Sequence, residues 1–284
     1  MKGFRIIPKL DIKGPNLVKG IHLEGLRVLG RPEDFARYYY ENGADELIYQ
    51  DVVASLYGRN SLSEMISNTA KENFIPLTVG GGIRTINDIK EVLRAGADKV
   101  CINSAAIADP DIIRQASRMF GSSTIIAGIE AIKHSDGTYR AYYNNGREES
   151  GLEIKDWSVR LAELGAGEIL VTSIDQEGTA EGFDIELMRI VSTAVNIPVI
   201  AHGGAGRKED VTNVIKNGFC DAVAIAGMFH YAGLKAIGKF EGNTNAEGNF
   251  EFVKSNNQAK AYKDSVTISE LKRYLNEMKI SCRI

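Results

Sequence analysis

Thr78-Val79-Gly80-Gly81-Gly82-Ile83-Arg84 and Ala201-His202-Gly203-Gly204-Ala205-Gly206-Arg207 decide the fold, because the second segment repeats the first. Gly80 precedes Gly203 by 123 positions, and Arg84 precedes Arg207 by the same interval. Asp98 with Asp221 and Ser104 with Gly227 keep that spacing. The Gly43–Leu47 stretch returns at Gly165–Ile169 after 122 positions, and Asp11 has Glu130 as counterpart after 119. One such match arises by chance, but a sustained offset means two halves built from the same units.

The units themselves are legible around these segments. Ile6–Leu10, Leu47–Val53, Leu77–Val79, Val100–Ile102, Ile125–Ile129, Ile169–Val171, Val199–Ala201 and Ala222–Ala226 are short apolar runs bounded by Gly, Asp or Asn. Strands buried on both faces of a parallel sheet have this form. Amphipathic stretches alternate with them. In Thr85–Ala95, the residues Ile86, Ile89 and Leu93 share a face, and Thr85 with Asp88 forms a capping-box pattern. Val211, Val214 and Ile215 mark another apolar helical face. Strands alternating with helices fit either a closed barrel or an open doubly wound sheet. The repeat of four units in each half favours a single (β/α)8 TIM barrel over residues 1–284, for which the length of 284 residues is ample.

Two segments depart from the alternation. Asp136–Gly137 between Ala131–Lys133 and Thr138–Tyr143 signals a hairpin after the fifth strand. Residues 233–264 are polar and rich in Gly and Asn, and are expected to form an insertion before a last helix at Val266–Met278.

Composition narrows the function. Hydrophobic residues make up 44% and charged residues 25%, as in ordinary soluble domains. The net charge of −3 and the lack of a basic tract argue against nucleic acid as a partner. Three widely spaced cysteines, Cys101, Cys220 and Cys282, are expected to be reduced thiols of a cytoplasmic protein. Neither the stretch Met1–Lys9 nor any later run has the apolar length of a signal peptide or membrane span, so no membrane association is expected. His22, His134, His202 and His230 lack metal-ligand spacing, and neither a metal nor a cofactor is expected.

Active sites of such barrels lie at the C-terminal ends of the strands. Asp11, Asp51, Gly80–Gly82, Asn103–Ser104, Glu130, Asp175–Gly178, Gly203–Gly204 and Ala226–Gly227 fall there. Small residues let backbone N–H groups approach a phosphate, and Ala226–Gly227 opens a helix. One such group in each half suits a small molecule phosphorylated at both ends. Asp11 and Glu130 flank its expected place as general acid and base. Asp51 and Asp175 either position substrate or satisfy backbone N–H groups, and His202 either touches phosphate or is structural. At the opposite face Arg5, Glu46, Lys99 and Glu168 begin strands, where their alternating charges either form a ring of salt bridges closing the barrel bottom or are solvated, as charges at strand starts ordinarily are.

These motifs, with Gly96–Val100, Ile102–Asn103, Thr172–Asp175 and Gly178–Thr179, resemble the cyclase subunit of imidazole glycerol phosphate synthase over roughly Phe4–His230 and the last helix. The resemblance implies a glutaminase subunit at the barrel's N-terminal face. Its ammonia would cross the barrel core and react with a ribulosyl-formimino bisphosphate. The products would be imidazole glycerol phosphate and an aminoimidazole carboxamide ribonucleotide. It implies that Asp11 is catalytic together with Lys19, in a mobile loop after the first strand. Gly82, Asn103 and Ser104 would hold one phosphate, and Gly178, Gly203, Gly204, Ala226 and Gly227 the other. Arg5, Glu46, Lys99 and Glu168 become a charged ammonia gate, and Asp98 a glutaminase contact. The chain departs from the pattern where Glu130 replaces the second catalytic Asp and Glu177 replaces a phosphate-site Asp. Lys9 also stands in place of a Cys, and His202 in place of a small residue. Those departures leave an alternative, an altered paralogue that conducts ammonia to a sugar amidotransferase of surface-polysaccharide synthesis.

Overall fold

The computed structural model describes residues 3–54, 62–238 and 265–283. Eight parallel strands close on themselves in the order β1 (Arg5–Lys13), β4 (Leu47–Asp51), β5 (Leu77–Gly80), β6 (Lys99–Ile102), β7 (Ile125–Lys133), β10 (Glu168–Ser173), β11 (Val199–His202) and β12 (Ala222–Ile225). The ring is sealed where Arg5 pairs with Ala222 and where Ile169 pairs with Ala127. Helices on the outside include α1 (Pro32–Glu41), α2 (Ser63–Glu72), α3 (Ile86–Ala95), α4 (Ser104–Ala108) and α5 (Asp111–Phe120). They continue with α6 (Ile154–Glu163), α7 (Ile185–Ala194), α8 (Lys208–Gly218), α9 (Gly227–Ile237) and α10 (Ile268–Glu277). The expected (β/α)8 barrel is therefore the fold.

Strand alternation explains what faces where. One set of side chains packs outward against the helices in the main core, among them Ile6, Leu10, Tyr49, Ile102 and Val171. The other set fills the barrel interior, where Ile7, Ile48, Cys101, Ile126, Leu170 and Ile200 form a separate cluster. The same parity puts Arg5, Ile7, Lys9 and Asp11 on the inner face of β1, from bottom to mouth.

Local chemistry sets the edges of the units. Thr85 accepts the Asp88 N–H and Asp88 returns a bond to the Thr85 N–H, which is the expected capping box at the start of α3. Gly204, at φ +98, has no room for a Cβ because the Gly182 carbonyl lies against it. The glycine is thus required by a close backbone approach as well as by its φ.

Two antiparallel hairpins rise from the mouth. β8 (Tyr139–Tyr143) and β9 (Glu148–Glu153) extend β7 around the Asp136–Gly137 turn, as the sequence predicts. β2 (Asn16–Ile21) and β3 (Glu24–Gly30) extend β1. Here the expectation of a loop around Lys19 is corrected: Lys19 lies in β2, buried, and is held by ladder pairing. Of the expected insertion at 233–264, Gly233–Ile237 belong to α9, while residues 239–264 lie outside the described residues. Among the described residues no helix is long and apolar enough to cross a membrane.

Candidate active site at the barrel mouth

Asp11 ends the inner face of β1 and Glu130 that of β7, four strands away around the ring. Both are inside the mouth, yet their surroundings differ. Asp11 is buried and forms an ion pair with Lys9, two residues below it on the same face. Burial alone would raise its pKa. The charges of Lys9 and Lys19 oppose that and hold it below the usual carboxylate value. Among the described residues Glu130 has no cationic partner at bonding distance. Its Oε2 accepts the Gly146 N–H at 2.8 Å, from the turn between β8 and β9. Burial pushes its pKa up to about 7, against weaker opposing effects of that N–H and of Lys9. One carboxylate is thus kept ionised, while the other keeps a proton to near neutrality.

A cavity of about 370 Å³ opens beside them on the N-terminal half. Gly81, Gly82, Asn103 and Ser104 line one end, Glu130 and Asn144–Asn145 another, and Lys9, Cys101 and Leu170 the floor. Ser104 Oγ accepts the Asn144 N–H at 3.1 Å, and Asn103 Nδ2 donates to the Tyr142 carbonyl at 3.3 Å. The β8–β9 hairpin is thereby fixed over this half of the mouth. Sequence reading had not placed Gln50, Cys101, Tyr143, Asn144 or Asn145 here. Gln50 and Cys101 follow from alternation along β4 and β6, whereas the hairpin residues depend on its register and carry no comparable signal.

The matching site of the C-terminal half is nearly closed. Glu177, Gly178, Gly203, Gly204, Ala226 and Gly227 are brought together as expected, around only about 10 Å³. Lys19 reaches across from β2 to form a buried ion pair with Glu177 and also donates to the Gly20 carbonyl at 3.0 Å. Glu177 Oε2 and His202 Nε2 are buried without a hydrogen-bond partner among the described residues. His202 Nδ1 donates to the Ala224 carbonyl at 2.9 Å, so Nε2 is the unprotonated nitrogen. Burial lowers the His202 pKa to about 3.

The other candidates separate cleanly. Asp51 Oδ1 accepts the N–H groups of Val53 and Ala54, and Asp175 Oδ2 that of Lys133, so both serve the backbone. Asp98 lies at the bottom face, where its carboxylate accepts the Leu77 N–H at 2.8 Å.

At the barrel bottom the four charged strand starts form a closed ring. Arg5 contacts Glu46 and Glu168 at 2.6 Å each, and Lys99 contacts the same two carboxylates at 3.0 and 2.7 Å. Of the two readings of these charges, the ring of salt bridges is the one formed, and it is shielded from solvent, since Glu46 is 6% and Glu168 8% exposed. Burial opposes the charge on Arg5 and Lys99, but the shared carboxylates outweigh it and raise both pKa values. The same cations hold Glu168 low despite its burial. Two positive and two negative charges close the barrel below the apolar cluster of Ile7, Ile48, Ile126 and Leu170.

Comparison with known proteins places this geometry. A family model described as histidine biosynthesis protein matches residues 5–235. The imidazole glycerol phosphate synthase subunit HisF of Legionella pneumophila is 55% identical over 210 residues, covering 74% of this chain and 99% of the relative. The subunit of that name from Lactococcus lactis subsp. lactis is 48% identical over 228 residues, 80% of this chain and 88% of the relative. That from Alkaliphilus metalliredigens is 45% identical over 227 residues, 80% and 90% of the two chains.

Proposed function

The chain belongs to the histidine biosynthesis protein family, and we infer from its relatives and its site that it is the cyclase subunit of an imidazole glycerol phosphate synthase. It takes ammonia and a ribulosyl-formimino bisphosphate to imidazole glycerol phosphate and an aminoimidazole carboxamide ribonucleotide. The observation that carries the chemistry is the pair Asp11 and Glu130. They are two inward carboxylates in one mouth with opposite protonation behaviour near neutral pH.

That difference divides the work. Addition of ammonia to a ketone must lose protons from nitrogen and protonate the departing oxygen. Asp11, ionised, accepts the protons. Glu130, protonated, donates to the oxygen. The same two groups serve the later ring closure and cleavage, which again move protons between nitrogen, carbon and oxygen. Gly82, Asn103 and Ser104 hold one phosphate in the open half. Gly178, Gly203, Gly204, Ala226 and Gly227 receive the other, with backbone N–H groups at the start of α9. Lys19 supplies positive charge to that second phosphate once it leaves Glu177, so phosphate competes with a carboxylate for one ammonium.

The partner is a glutaminase subunit on the bottom face, with Asp98 among its contacts. The ring of Arg5, Glu46, Lys99 and Glu168 is the point at which ammonia enters the barrel. A neutral molecule crosses the apolar layer above it far more cheaply than ammonium does.

The test is ammonium-dependent turnover of the bisphosphate substrate by the full chain without glutaminase. Wild type is expected to turn over, Asp11→Asn to be almost inactive and Glu130→Asp to keep part of the activity. A wild type that binds substrate and makes no product sinks the reading in favour of ammonia delivery to another acceptor, which no relative named above supports.

A further inference from the structure

The cyclase reading uses Asp11, Glu130 and Lys19, and leaves one charge in the mouth unexplained. Lys9 is 4% exposed and sits on the inner face of β1, directly above Ile7 of the apolar cluster. Its side chain lines the floor of the cavity with Cys101 and Leu170, and its ammonium forms an ion pair with Asp11 Oδ1. A lysine is costly to bury, and one placed inside a barrel between an apolar layer and a reaction site needs a partner and a reason. Asp11 is the partner.

We propose that Lys9 is a positioning residue for the reaction: its ammonium fixes Asp11 as the anion of the pair and leaves Glu130, across the mouth, to carry the proton. This rests on the assignment of the mouth as the reaction site. Lys9 is central enough for the task, because its charge acts on Asp11, Glu130, Cys101, His202 and His230 alike. Among the described residues no other cation has that reach. Lys19 on β2 also acts on Asp11, but its ammonium is bonded to Glu177 on the far side. His202 on β11 and His230 on α9 are buried and held neutral to low pH, so neither offers a competing positive charge near neutrality. Around Glu130 the groups are the Gly146 N–H, the Asn103 amide, Lys9 and, at a distance, the Asp11 carboxylate, which alone of these resists its ionisation.

The ion pair also orients. A free Asp at a strand end rotates about χ1 and χ2, whereas the Asp11 carboxylate bonded to an ammonium two residues below on the same strand is held in one orientation. Lys9 therefore sets both the charge and the direction of the proton acceptor.

The experiment is carboxyl ¹³C NMR titration of the full chain, labelled at Asp and Glu, in wild type, Lys9→Met, Lys9→Gln and Lys9→Arg, beside the pH profile of ammonium-dependent turnover. Loss of a cation at ion-pair distance is expected to raise the Asp11 titration by about 1–3 units in Lys9→Met and Lys9→Gln, with a smaller rise at Glu130. Both limbs of the pH–rate profile then move alkaline, and Lys9→Arg restores their position. If turnover falls while both titrations stay where they are in wild type, Lys9 is merely structural and the proposal is overturned. An Asp11 that titrates at or above an ordinary aspartate in wild type overturns it without any variant. Titration shifts in a protein that makes no product would instead sink the cyclase reading and keep the coupling of Lys9 to Asp11.

Discussion

The two halves of this barrel descend from one pattern and now offer different receptions to the same kind of group. In the N-terminal half, Gly82, Asn103 and Ser104 border a cavity of about 370 Å³. In the C-terminal half, Gly178, Gly203, Gly204, Ala226 and Gly227 surround about 10 Å³, because Lys19 and Glu177 already occupy each other there. The carboxylates diverge in parallel. Asp11 is paired with a lysine on its own strand, whereas Glu130 accepts the Gly146 N–H and is kept protonated chiefly by burial. A repeat thus preserves backbone architecture closely while the charges set upon it are free to specialise.

The sharpest way to break this comparison is to remove each carboxylate in turn. Asp11→Asn and Glu130→Gln are each expected to lower ammonium-dependent kcat by about 100- to 10,000-fold, the range of one proton-transfer group. Equal losses at every pH would contradict a division between acceptor and donor, because Glu130→Gln should also remove the alkaline limb.

Next in size is the lock on the C-terminal half. Lys19→Met leaves the Glu177 carboxylate buried and unpaired, and urea denaturation should show a loss of about 3–5 kcal/mol. Adding Glu177→Gln should recover most of it. Serine at Ser104, the corresponding site in the open half, gives the contrast. Ser104→Ala removes only the acceptor for the Asn144 N–H, and a loss of about 1 kcal/mol is expected.

Between these lies a pH effect of defined sign. The Glu130 pKa is raised in the folded protein, so the folded state binds a proton that the unfolded state releases. Glu130 therefore makes stability fall as pH rises from about 4.5, the ordinary glutamate value, through about 7, and Glu130→Gln should flatten that slope. His202 and His230 act in the opposite sense. Their folded pKa values are lowered to about 3, so stability is lost as pH falls below about 6.5, the ordinary histidine value. Thermal melts at a series of pH values on wild type and Glu130→Gln would resolve the two contributions. A Glu130→Gln variant with an unchanged slope between those limits would show that the carboxyl is not the buried acid described above.

What the sequence disclosed follows from what is periodic. The eight barrel strands are apolar on both faces and the repeat has a fixed offset, so strands, closure and the glycine sites were readable. The Asp136–Gly137 hairpin was readable because a two-residue turn has its own residue preferences. The hairpin β2–β3 was not. Its strand Asn16–Ile21 carries Lys19 and Gly20 where a core strand would carry apolar residues, and Lys19 is buried only because Glu177, far away in sequence, receives it. The bottom ring was left open by the residues alone for the same reason. A charge at a strand start is solvated unless its opposite number stands across the barrel, and Arg5 meets Glu168 only through closure. Pairings between distant residues are products of topology, and single-residue propensity contains no record of them.

The seam between β1 and β12 has a kinetic meaning as well. Arg5 pairs with Ala222, Phe4 bridges to Cys282, the Phe4 N–H bonds to the Ser281 carbonyl at 2.8 Å, and Lys272 of α10 is bound to Asp45 at 2.7 Å. Each of these joins residues separated by most of the chain, so each carries a large loop-closure cost before it yields any contact energy. The neighbouring β–α–β units have no such cost and can assemble early. Closure of the ring, and with it the meeting of Arg5 with Glu168, is therefore expected in the last stage of folding. The Arg5–Glu168 contact at the bottom is thus expected to mark completion, since it joins the first strand to the second half of the chain.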